Sequence, residues 1–271
     1  MFDLAETKGL HILPVHYYTP IPTAADLKRR RQSSMTGVPL NLETGISCAV
    51  GLIQRRRDGI VSLCSGSRGY RADNDSFAPL DAAVLYSIIC EAKPKRIVEI
   101  GSGMSTLAML AAIEDARLEV DLTCIEPYLP DYLQTRRNVV NRVIEKPLQE
   151  VPLDIFLALE AGDILFIDST HVVRFDSDVV YEILEILPRL QPGVLVHVHD
   201  IFFPYDYPEK WLKQHRFFWT EQYLLQAFLS MNPHFEIQIP LHAIKKKVIE
   251  QSQIIIPETK TEVTSLWLVR K

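Results

Sequence analysis

Two acidic residues and two glycines near the middle of the chain form the pattern with the clearest chemical meaning. Glu99 stands before Gly101 and Gly103, and Glu126 ends the next apolar segment along the chain. Glycine at such positions lets the backbone approach a ligand that a Cβ atom would keep away. A carboxylate at the end of the following strand can accept hydrogen bonds from both hydroxyls of a ribose. The pattern therefore predicts a nucleoside-binding turn between a strand and a helix.

The residues around this turn indicate which nucleoside it binds. A dinucleotide-binding turn carries a third glycine, and Thr106 stands at that position here. Glu99 is placed to meet a cationic amino group, and we expect Ser105 to join the glycines in contacting the ligand. A ligand with an ammonium group and no pyrophosphate fits better than NAD, and the common ligand of that kind is S-adenosylmethionine (SAM). An NAD-linked oxidoreductase is the alternative.

A second group of polar residues follows two later apolar segments. Asp168 and His171 come after the first segment, and His199 and Asp200 come after the second. Two carboxylates and an imidazole suit a divalent cation such as Mg²⁺ or Mn²⁺. A bound cation helps an alcohol to lose its proton, since the unassisted pKa is close to the value of about 15.7 for water. We predict Asp168, His199 and Asp200 as metal ligands, Asp168 also as a cofactor contact, and His171 or His199 as the base.

Aromatic residues follow the second segment, in a loop expected to cover the site. Tyr205, Tyr207 and Trp211 are predicted to contact the acceptor by stacking on it. Glu221 opens a later helix, where it either stabilises the helix end or binds the acceptor. His197 lies deeper in its strand and is interpreted as a satisfied structural residue. A site without a metal, in which an imidazole is the only base, stays open.

From Phe77 onward, apolar residues alternate between strand-like and helix-like spacing. Strands are predicted at Arg96–Ile100, Val120–Ile125, Asp163–Asp168 and Val194–His199, and a weaker one within Asn141–Glu150. Helices are predicted at Leu80–Ala92, Thr106–Ala116, Asp131–Asn138, Asp178–Leu187 and Glu221–Leu229, and a late antiparallel hairpin at His234–Ile239 and Thr264–Val269, around a polar lysine-rich insertion. This order predicts an α/β fold with a doubly wound, mostly parallel sheet. Ligands of such sheets bind at the carboxyl ends of the strands, where the predicted site residues fall.

Composition and charge narrow the classes of function. The chain has 271 residues, and we assign residues 1–78 to an N-terminal extension, acting as a lid or in oligomerisation, and 79–271 to a SAM-binding domain. A net charge of −5 argues against a general nucleic-acid binder. The basic runs Lys28–Arg31, Arg55–Arg57 and Lys245–Lys247 suit a phosphate or a carboxylated sugar, but we interpret them as solvated helix faces. The four cysteines are scattered, and there is no signal-peptide pattern or long apolar segment. We therefore expect a cytoplasmic protein with no membrane or nucleic-acid partner.

Several of these segments together resemble a known family. The stretches DILFIDSTHVVRFDSDV, VHVHDIFFPYDYP and WTEQYLLQAFL are similar to class I SAM-dependent methyltransferases, in particular to a bacterial subfamily, the Methyltransf_24 type, often encoded with surface-polysaccharide or secondary-metabolite genes. The resemblance implies a Rossmann-like methyltransferase fold with a seven-stranded sheet. The metal site resembles the catechol O-methyltransferase type, which has an Asp after the fourth strand, an Asp-Asn pair after the fifth and a Lys base. Asp168 matches that arrangement, whereas His199-Asp200 stands in place of the pair and His171 in place of the base.

The sequence therefore predicts a SAM-dependent O-methyltransferase that acts on a hydroxyl of a small polar molecule, a saccharide or a secondary metabolite. The alternatives are the NAD-linked oxidoreductase and a SAM-fold binding module without catalysis. A nitrogen acceptor and a homo-oligomer both stay open.

Overall fold

The computed structural model describes residues 2–29, 32–135 and 137–271, which form two compact units. The first unit combines Met1–Gln32 with Asp206–Phe218, and the second combines Ser33–Tyr205 with Trp219–Lys271. Residues 30 and 31 of the predicted basic run and residue 136 of a predicted helix lie outside the described residues. Within the described ranges, no helix is long and apolar enough to cross a membrane.

The second unit is built on a seven-stranded sheet. In chain order the strands are β1 (Arg96–Ile100), β2 (Asp121–Ile125), β3 (Arg142–Ile144), β4 (Ile164–Ile167), β5 (Leu195–Val198), β6 (Phe235–Pro240) and β7 (Leu266–Arg270). Across the sheet their order is β3-β2-β1-β4-β5-β7-β6, and β7 runs antiparallel to both of its neighbours while the other pairs are parallel. The direction of winding reverses between β1 and β4, and such a switch point is where doubly wound sheets bind ligands. The predicted fold class, including the late antiparallel hairpin, is confirmed.

Helices flank the sheet on both faces. The helices of the second unit are α2 (Leu42–Arg55), α3 (Arg57–Cys64), α4 (Pro79–Ala92), α5 (Met104–Asp115), α6 (Asp131–Gln134), α7 (Asp154–Leu157), α8 (Asp178–Tyr181), α9 (Glu221–Leu229) and α10 (Leu241–Ser252). The first unit, taken by itself, contains α1 (Phe2–Glu6). The helix predicted at Asp178–Leu187 is α-helical only in α8 and continues as a π-helical turn, Glu182–Ile186.

Successive strand residues enter two different cores, as the two-residue period of a strand requires. Ile97 and Phe166 pack on one face of the sheet with apolar residues of α2, α4, α5 and α10. Val98 and Leu165 pack on the other face with Phe156 and apolar residues of α8 and α9. Because both faces of β1 and β4 are covered, these strands are fully buried along almost their whole length, and their carboxyl ends are held in fixed positions.

The structure adds helices that sequence periodicity did not reveal. α2 and α3 lie in the segment that we predicted as an irregular extension, and α10 lies in the lysine-rich insertion. Ile46, Ala49 and Ile53 form the buried stripe of α2, but glycines and polar residues between them weaken the pattern. A Cβ atom on Gly45 would lie 3.1 Å from the Gln238 carbonyl oxygen, so α2 packs closely on β6. The predicted domain boundary at residue 78 stays a prediction.

Gly101 is the backbone position at which the fold tolerates a side chain least. Its φ is +78°, and a Cβ atom would lie 1.8 Å from the Asp168 carbonyl oxygen. We expect Gly101→Ala to lower the free energy of unfolding by about 3 kcal/mol or more, because a left-handed conformation costs about 1–2 kcal/mol and overpacking about 1–3 kcal/mol. Urea unfolding measures this loss. Gly103→Ala is the matched control, since its Cβ would lie 3.5 Å from the Tyr132 hydroxyl; equal losses in the two variants would contradict the account.

Candidate active site

The glycine turn after β1 is held at the switch point by backbone contacts with both neighbouring strands. The Gly101 N–H donates to the Ile125 carbonyl at 2.9 Å, and the Asp168 N–H donates to the Ile100 carbonyl at 2.9 Å. Glycine is therefore required at position 101 by packing as well as for the approach of a ligand, because the Asp168 backbone fills the space where a Cβ atom would lie. Gly103 has an extended backbone and room for a Cβ atom, so its lack of a side chain leaves space beside the start of α5.

Glu99 is the fully buried anchor of this turn. Its carboxylate accepts hydrogen bonds from the Ser102 hydroxyl at 3.1 Å, the Ser105 hydroxyl at 2.7 Å, the Thr106 hydroxyl at 2.6 Å and the Cys124 thiol at 3.3 Å. The Thr106 hydroxyl also accepts a hydrogen bond from the Gly103 N–H at 3.0 Å. Thr106, which stands where a dinucleotide-binding turn has its third glycine, therefore stabilises the turn by this hydrogen bond. Burial raises the pKa of Glu99 to about 7, although the hydroxyl donors oppose that rise.

Glu126 approaches the same turn from the end of β2. One carboxylate oxygen accepts from the Ser102 N–H at 3.2 Å, and the other accepts from the Tyr128 N–H at 2.8 Å. Each oxygen has further lone pairs, and the residue is only partly buried. The Glu126 carboxylate can therefore accept hydroxyl groups of a ligand while it holds the turn.

The second predicted group comes together after β4 and β5. Asp168, His199 and Asp200 each offer one ligand atom, and these three atoms lie within 4.8 Å of one another. His199 is buried, with Nε2 located 3.2 Å from the Ser76 carbonyl and 3.4 Å from the Thr264 hydroxyl, while its Nδ1 is buried without a hydrogen-bond partner. The same nitrogen, Nε2, lies 3.9 Å from Asp200 Oδ1, so it is the ring nitrogen that faces the acids.

His171 lies between the two carboxylates of this group. Its Nε2 is 3.4 Å from Asp168 Oδ1 and 3.5 Å from Asp200 Oδ2, and its Nδ1 is 2.7 Å from Glu221 Oε2. Burial disfavours the charged imidazole, but the hydrogen bonds to Asp168 and Glu221 outweigh it and raise the pKa of His171 well above its usual range. The Trp219 ring packs 4.4 Å from the imidazole. His171 is thus a fixed cation that balances neighbouring negative charge.

Glu221 belongs to this buried network, because its side chain has no exposure and its carboxylate holds His171. Glu182, from the π-helical turn, is buried nearby and accepts from the Ser169 hydroxyl at 3.1 Å. Burial and the charge of Glu221 raise the pKa of Glu182 well above its usual range. Sequence reasoning missed Glu182, although an acid within the apolar segment VVYEILEIL was a signal.

Sequence reasoning also missed the residues that position Asp200. The Thr264 hydroxyl donates to Asp200 Oδ1 at 3.0 Å. The backbone N–H groups of Thr264 and Ser265 donate to the fully buried carboxylate of Asp81 at 3.3 and 3.0 Å. Asp81 carries a signal, as the one acid in the apolar segment PLDAAVLYSII, whereas Thr264 carries none.

The other residues singled out in the sequence, His197, Tyr205, Tyr207 and Trp211, lie outside the glycine turn and the acid-imidazole group (Asp168, His199 and Asp200). His197 is fully buried, stacks on Phe166 at 3.8 Å and contacts the Ser265 hydroxyl at 2.9 Å, as a structural residue does. Burial lowers the pKa of His197 well below its usual range, so the ring is neutral. Tyr205 is half exposed at the end of the loop after β5. Tyr207, which is buried, and Trp211 belong to the first unit.

Ionisation of Glu99 makes stability depend on pH. Its pKa of about 7 in the folded protein lies above the ordinary 4.5, so its contribution to stability is complete below the ordinary value and is lost as the pH rises through about 7. Glu99→Gln stays neutral, and we expect its stability relative to the natural chain to rise by on the order of 2 kcal/mol between about pH 5 and pH 7.5. Urea unfolding at both pH values measures this change. The exposed Glu119→Gln is the control, and a constant difference for Glu99→Gln would refute the account.

Comparison with known proteins agrees with this architecture. A family model described as a methyltransferase domain, Methyltransf_24, matches residues 98–201, which run from β1 to just beyond Asp200. An uncharacterised protein of Archaeoglobus fulgidus is 32% identical over 167 residues, which are 54% of this chain and 73% of that protein.

Solved structures also resemble the chain. The methyltransferase PaMTH1 of Podospora anserina, bound to S-adenosylhomocysteine (SAH), is 19% identical with a TM-score of 0.46, and the match covers 86% of this chain and 98% of that one. The O-methyltransferase TomG of Streptomyces achromogenes, in complex with SAM, is 14% identical with a TM-score of 0.45, over 79% of this chain and 90% of that one. The family match and the archaeal relative confirm the resemblance seen in the sequence: the chain belongs to the Methyltransf_24 family of class I SAM-dependent methyltransferases.

Proposed function

We propose that the protein transfers the methyl group of SAM to a hydroxyl of a small polar acceptor, a saccharide or a related secondary metabolite, with the help of a divalent cation. The observation that carries this proposal is the gathering of Asp168, His199 and Asp200 within 4.8 Å at the sheet edge that also holds the glycine turn. A module that only bound SAM would not need two carboxylates and two imidazoles beside it.

The turn after β1 is the proposed cofactor site. Glu126 accepts the ribose hydroxyls, and Gly101 and Gly103 let the methionine part of SAM lie against the backbone. The Ser105 hydroxyl donates a hydrogen bond to Glu99, so we propose that these two residues shape the turn. Glu99 also supplies a negative field for the ammonium group of SAM. The Thr106 hydroxyl ties Gly103 to Glu99, which supports SAM over a dinucleotide, because a dinucleotide turn has glycine at that place.

The acid-imidazole group fits a divalent cation. Its donor set has one imidazole and two carboxylates, whose ligand atoms lie within 4.8 Å of one another, and such nitrogen and oxygen donors suit a divalent cation. Asp168, His199 and Asp200 would hold the ion. When bound, it would supply Lewis-acid polarisation of the acceptor hydroxyl and balance the two carboxylates.

The residues of the chain then have distinct tasks in methyl transfer. Asp168 and Asp200 fix the acceptor oxygen in line with the methyl group, and such positioning supplies a large part of the rate. Once the negative charge of these carboxylates is balanced, His171 loses a proton to solvent, and its Nε2, which faces both carboxylates, can then accept the proton of the acceptor hydroxyl as that oxygen attacks the methyl group. Glu221 holds the other ring nitrogen at 2.7 Å and fixes the orientation of the base.

Calorimetric titration with SAH, with NAD⁺ as the comparison ligand, tests the cofactor site. We expect micromolar binding of SAH and none of NAD⁺. Glu126→Gln should weaken SAH binding about tenfold, because a hydrogen bond to a charged acceptor contributes about 1.5–3 kcal/mol. Glu119→Gln, an exposed acid at the opposite end of β2, is the matched control. Tighter binding of NAD⁺ than of SAH would overturn the proposal.

Metal removal tests the acid-imidazole group. Methyl transfer to a panel of hydroxyl compounds should stop after EDTA treatment and return with Mn²⁺ or Mg²⁺, while SAH binding stays unchanged. Electron paramagnetic resonance should show Mn²⁺ bound to the natural protein and at least tenfold weaker binding to Asp168→Asn, whereas the exposed Asp121→Asn should bind as the natural protein does. Full activity after exhaustive EDTA treatment would exclude the metal from the reaction.

A further inference from the structure

A cavity of about 430 Å³ lies beside α10, within the second unit and outside the groups described above. Its lining has an apolar part, from Leu42, Ile46 and Ile244, and a polar part, from Glu43, Tyr205, His242 and the three lysines Lys245, Lys246 and Lys247. A volume of this size lies in the range of small-molecule sites. β6 is parallel to β5, because both are antiparallel to β7, so the start of α10 lies at the carboxyl edge of the sheet, as Asp200 does.

Two short chain paths connect this cavity to the acid-imidazole group. Asp200 accepts from the Thr264 hydroxyl at 3.0 Å, and the carbonyl of the preceding residue, Val263, lies 2.8 Å from His242 Nδ1. Along the other path, Phe202 follows Asp200 by two residues, and its ring packs 4.8 Å from the His242 ring. At about 3.8 Å between consecutive Cα atoms, the cavity is on the order of 10 Å from the acids. That separation is within the length of one small molecule.

His242 presents a hydrogen-bond acceptor of fixed orientation. Because the Val263 carbonyl only accepts, His242 Nδ1 carries the proton and Nε2 carries the lone pair. Burial and the neighbouring charge of Lys245 lower the pKa of His242, so the ring stays neutral at neutral pH. Edge contacts from Phe202 and Tyr205 hold the ring in place. A hydroxyl group of a ligand can donate to Nε2.

Lys246 supplies the charge that is available to a ligand. Lys245 pairs with Glu262 at 3.0 Å and Lys247 pairs with Glu43 at 3.3 Å. Lys246 makes no ion pair within the described part of the chain, and it lines the same cavity. An ammonium group with no acidic partner beside an acceptor nitrogen and an apolar wall fits an anion that also carries hydroxyl groups.

We propose that this cavity binds the anionic end of the acceptor, so that the substrate is a hydroxyl-bearing molecule with a carboxylate or a phosphate, such as an acidic sugar. The inference rests on the proposed methyl transfer to a hydroxyl. Lys246 pairs with the anion, His242 Nε2 accepts from a neighbouring hydroxyl, and the apolar wall covers the carbon skeleton. The reacting hydroxyl lies at the other end of the molecule, near Asp168 and Asp200.

Saturation-transfer NMR and calorimetry on the full chain with SAH bound test this site. The probes are D-glucuronate, D-glucose 6-phosphate and neutral D-glucose, which share one ring and differ in charge. We expect at least one anionic probe to bind ten times more tightly than glucose, and the preferred anion identifies carboxylate or phosphate as the group recognised. Equal affinities for all three probes, or no binding at millimolar concentration, would overturn the proposal.

Two variants separate the roles of charge and hydroxyl recognition. Lys246→Ala should reduce the affinity for the anionic probe to near that for glucose, whereas His242→Phe should weaken all probes by a similar factor and keep their ratio. Lys260→Ala removes an exposed lysine that does not line the cavity, and it should change nothing. Unaltered SAH binding in each variant shows that the fold and the cofactor site are intact. A wrong assignment of this cavity is then distinguishable from a wrong assignment of the methyltransferase function, because only the latter abolishes SAH binding. An unchanged anion preference in Lys246→Ala would refute the site.

Discussion

The close approach of the Gly101 backbone to the Asp168 carbonyl is the constraint on which the candidate active site depends. A Cβ atom at Gly101 would lie 1.8 Å from that oxygen, so only glycine lets the ends of β1 and β4 meet. The contact joins the two halves of the candidate site, because Gly101 begins the proposed cofactor turn and Asp168 begins the acid-imidazole group. Backbone hydrogen bonds from Gly101 to Ile125 and from Asp168 to Ile100 then fix both halves against the sheet. The relative position of the proposed cofactor and acceptor sites therefore follows from backbone packing.

Around this contact the protein buries an unusual number of acids. Glu99, Glu182 and Glu221 are fully buried, and Asp81 lies equally deep behind His199. Burial of a carboxylate is costly unless hydrogen bonds or an opposite charge compensate it. Hydroxyl groups compensate Glu99, backbone N–H groups compensate Asp81, and His171 compensates Glu221. Such an arrangement stabilises the fold less than apolar packing would, which is typical of residues kept for function.

The proposed cofactor residues and the cavity beside α10 lie toward different edges of the sheet. β1, β2 and β4 pair in parallel and are buried, so the proposed cofactor residues stand on the most constrained part of the sheet. The strands β5, β7 and β6 form the other edge, where Thr264 and His242 link Asp200 to the cavity beside α10. In the proposed enzyme, this division lets the acceptor specificity change at the second edge while the cofactor site on the first edge is kept. Sites built on rigid elements hold their geometry better than sites built on loops.

The sequence by itself determined the elements and residues whose pattern is local. β1 lies at the predicted Arg96–Ile100, and Glu99, Glu126, Asp168 and His199 lie at or next to the predicted strand ends, because an apolar run bounded by glycine or acids depends only on neighbouring residues. Tertiary structure alone decided which side chains meet. Glu221 and His171 are 50 positions apart, and Asp81 and Thr264 are 183 apart. The helix α2 also escaped prediction, since its stripe is recognisable only once β6 and α4 cover it. Contacts across such separations depend on how whole elements pack, and no local spacing encodes that packing.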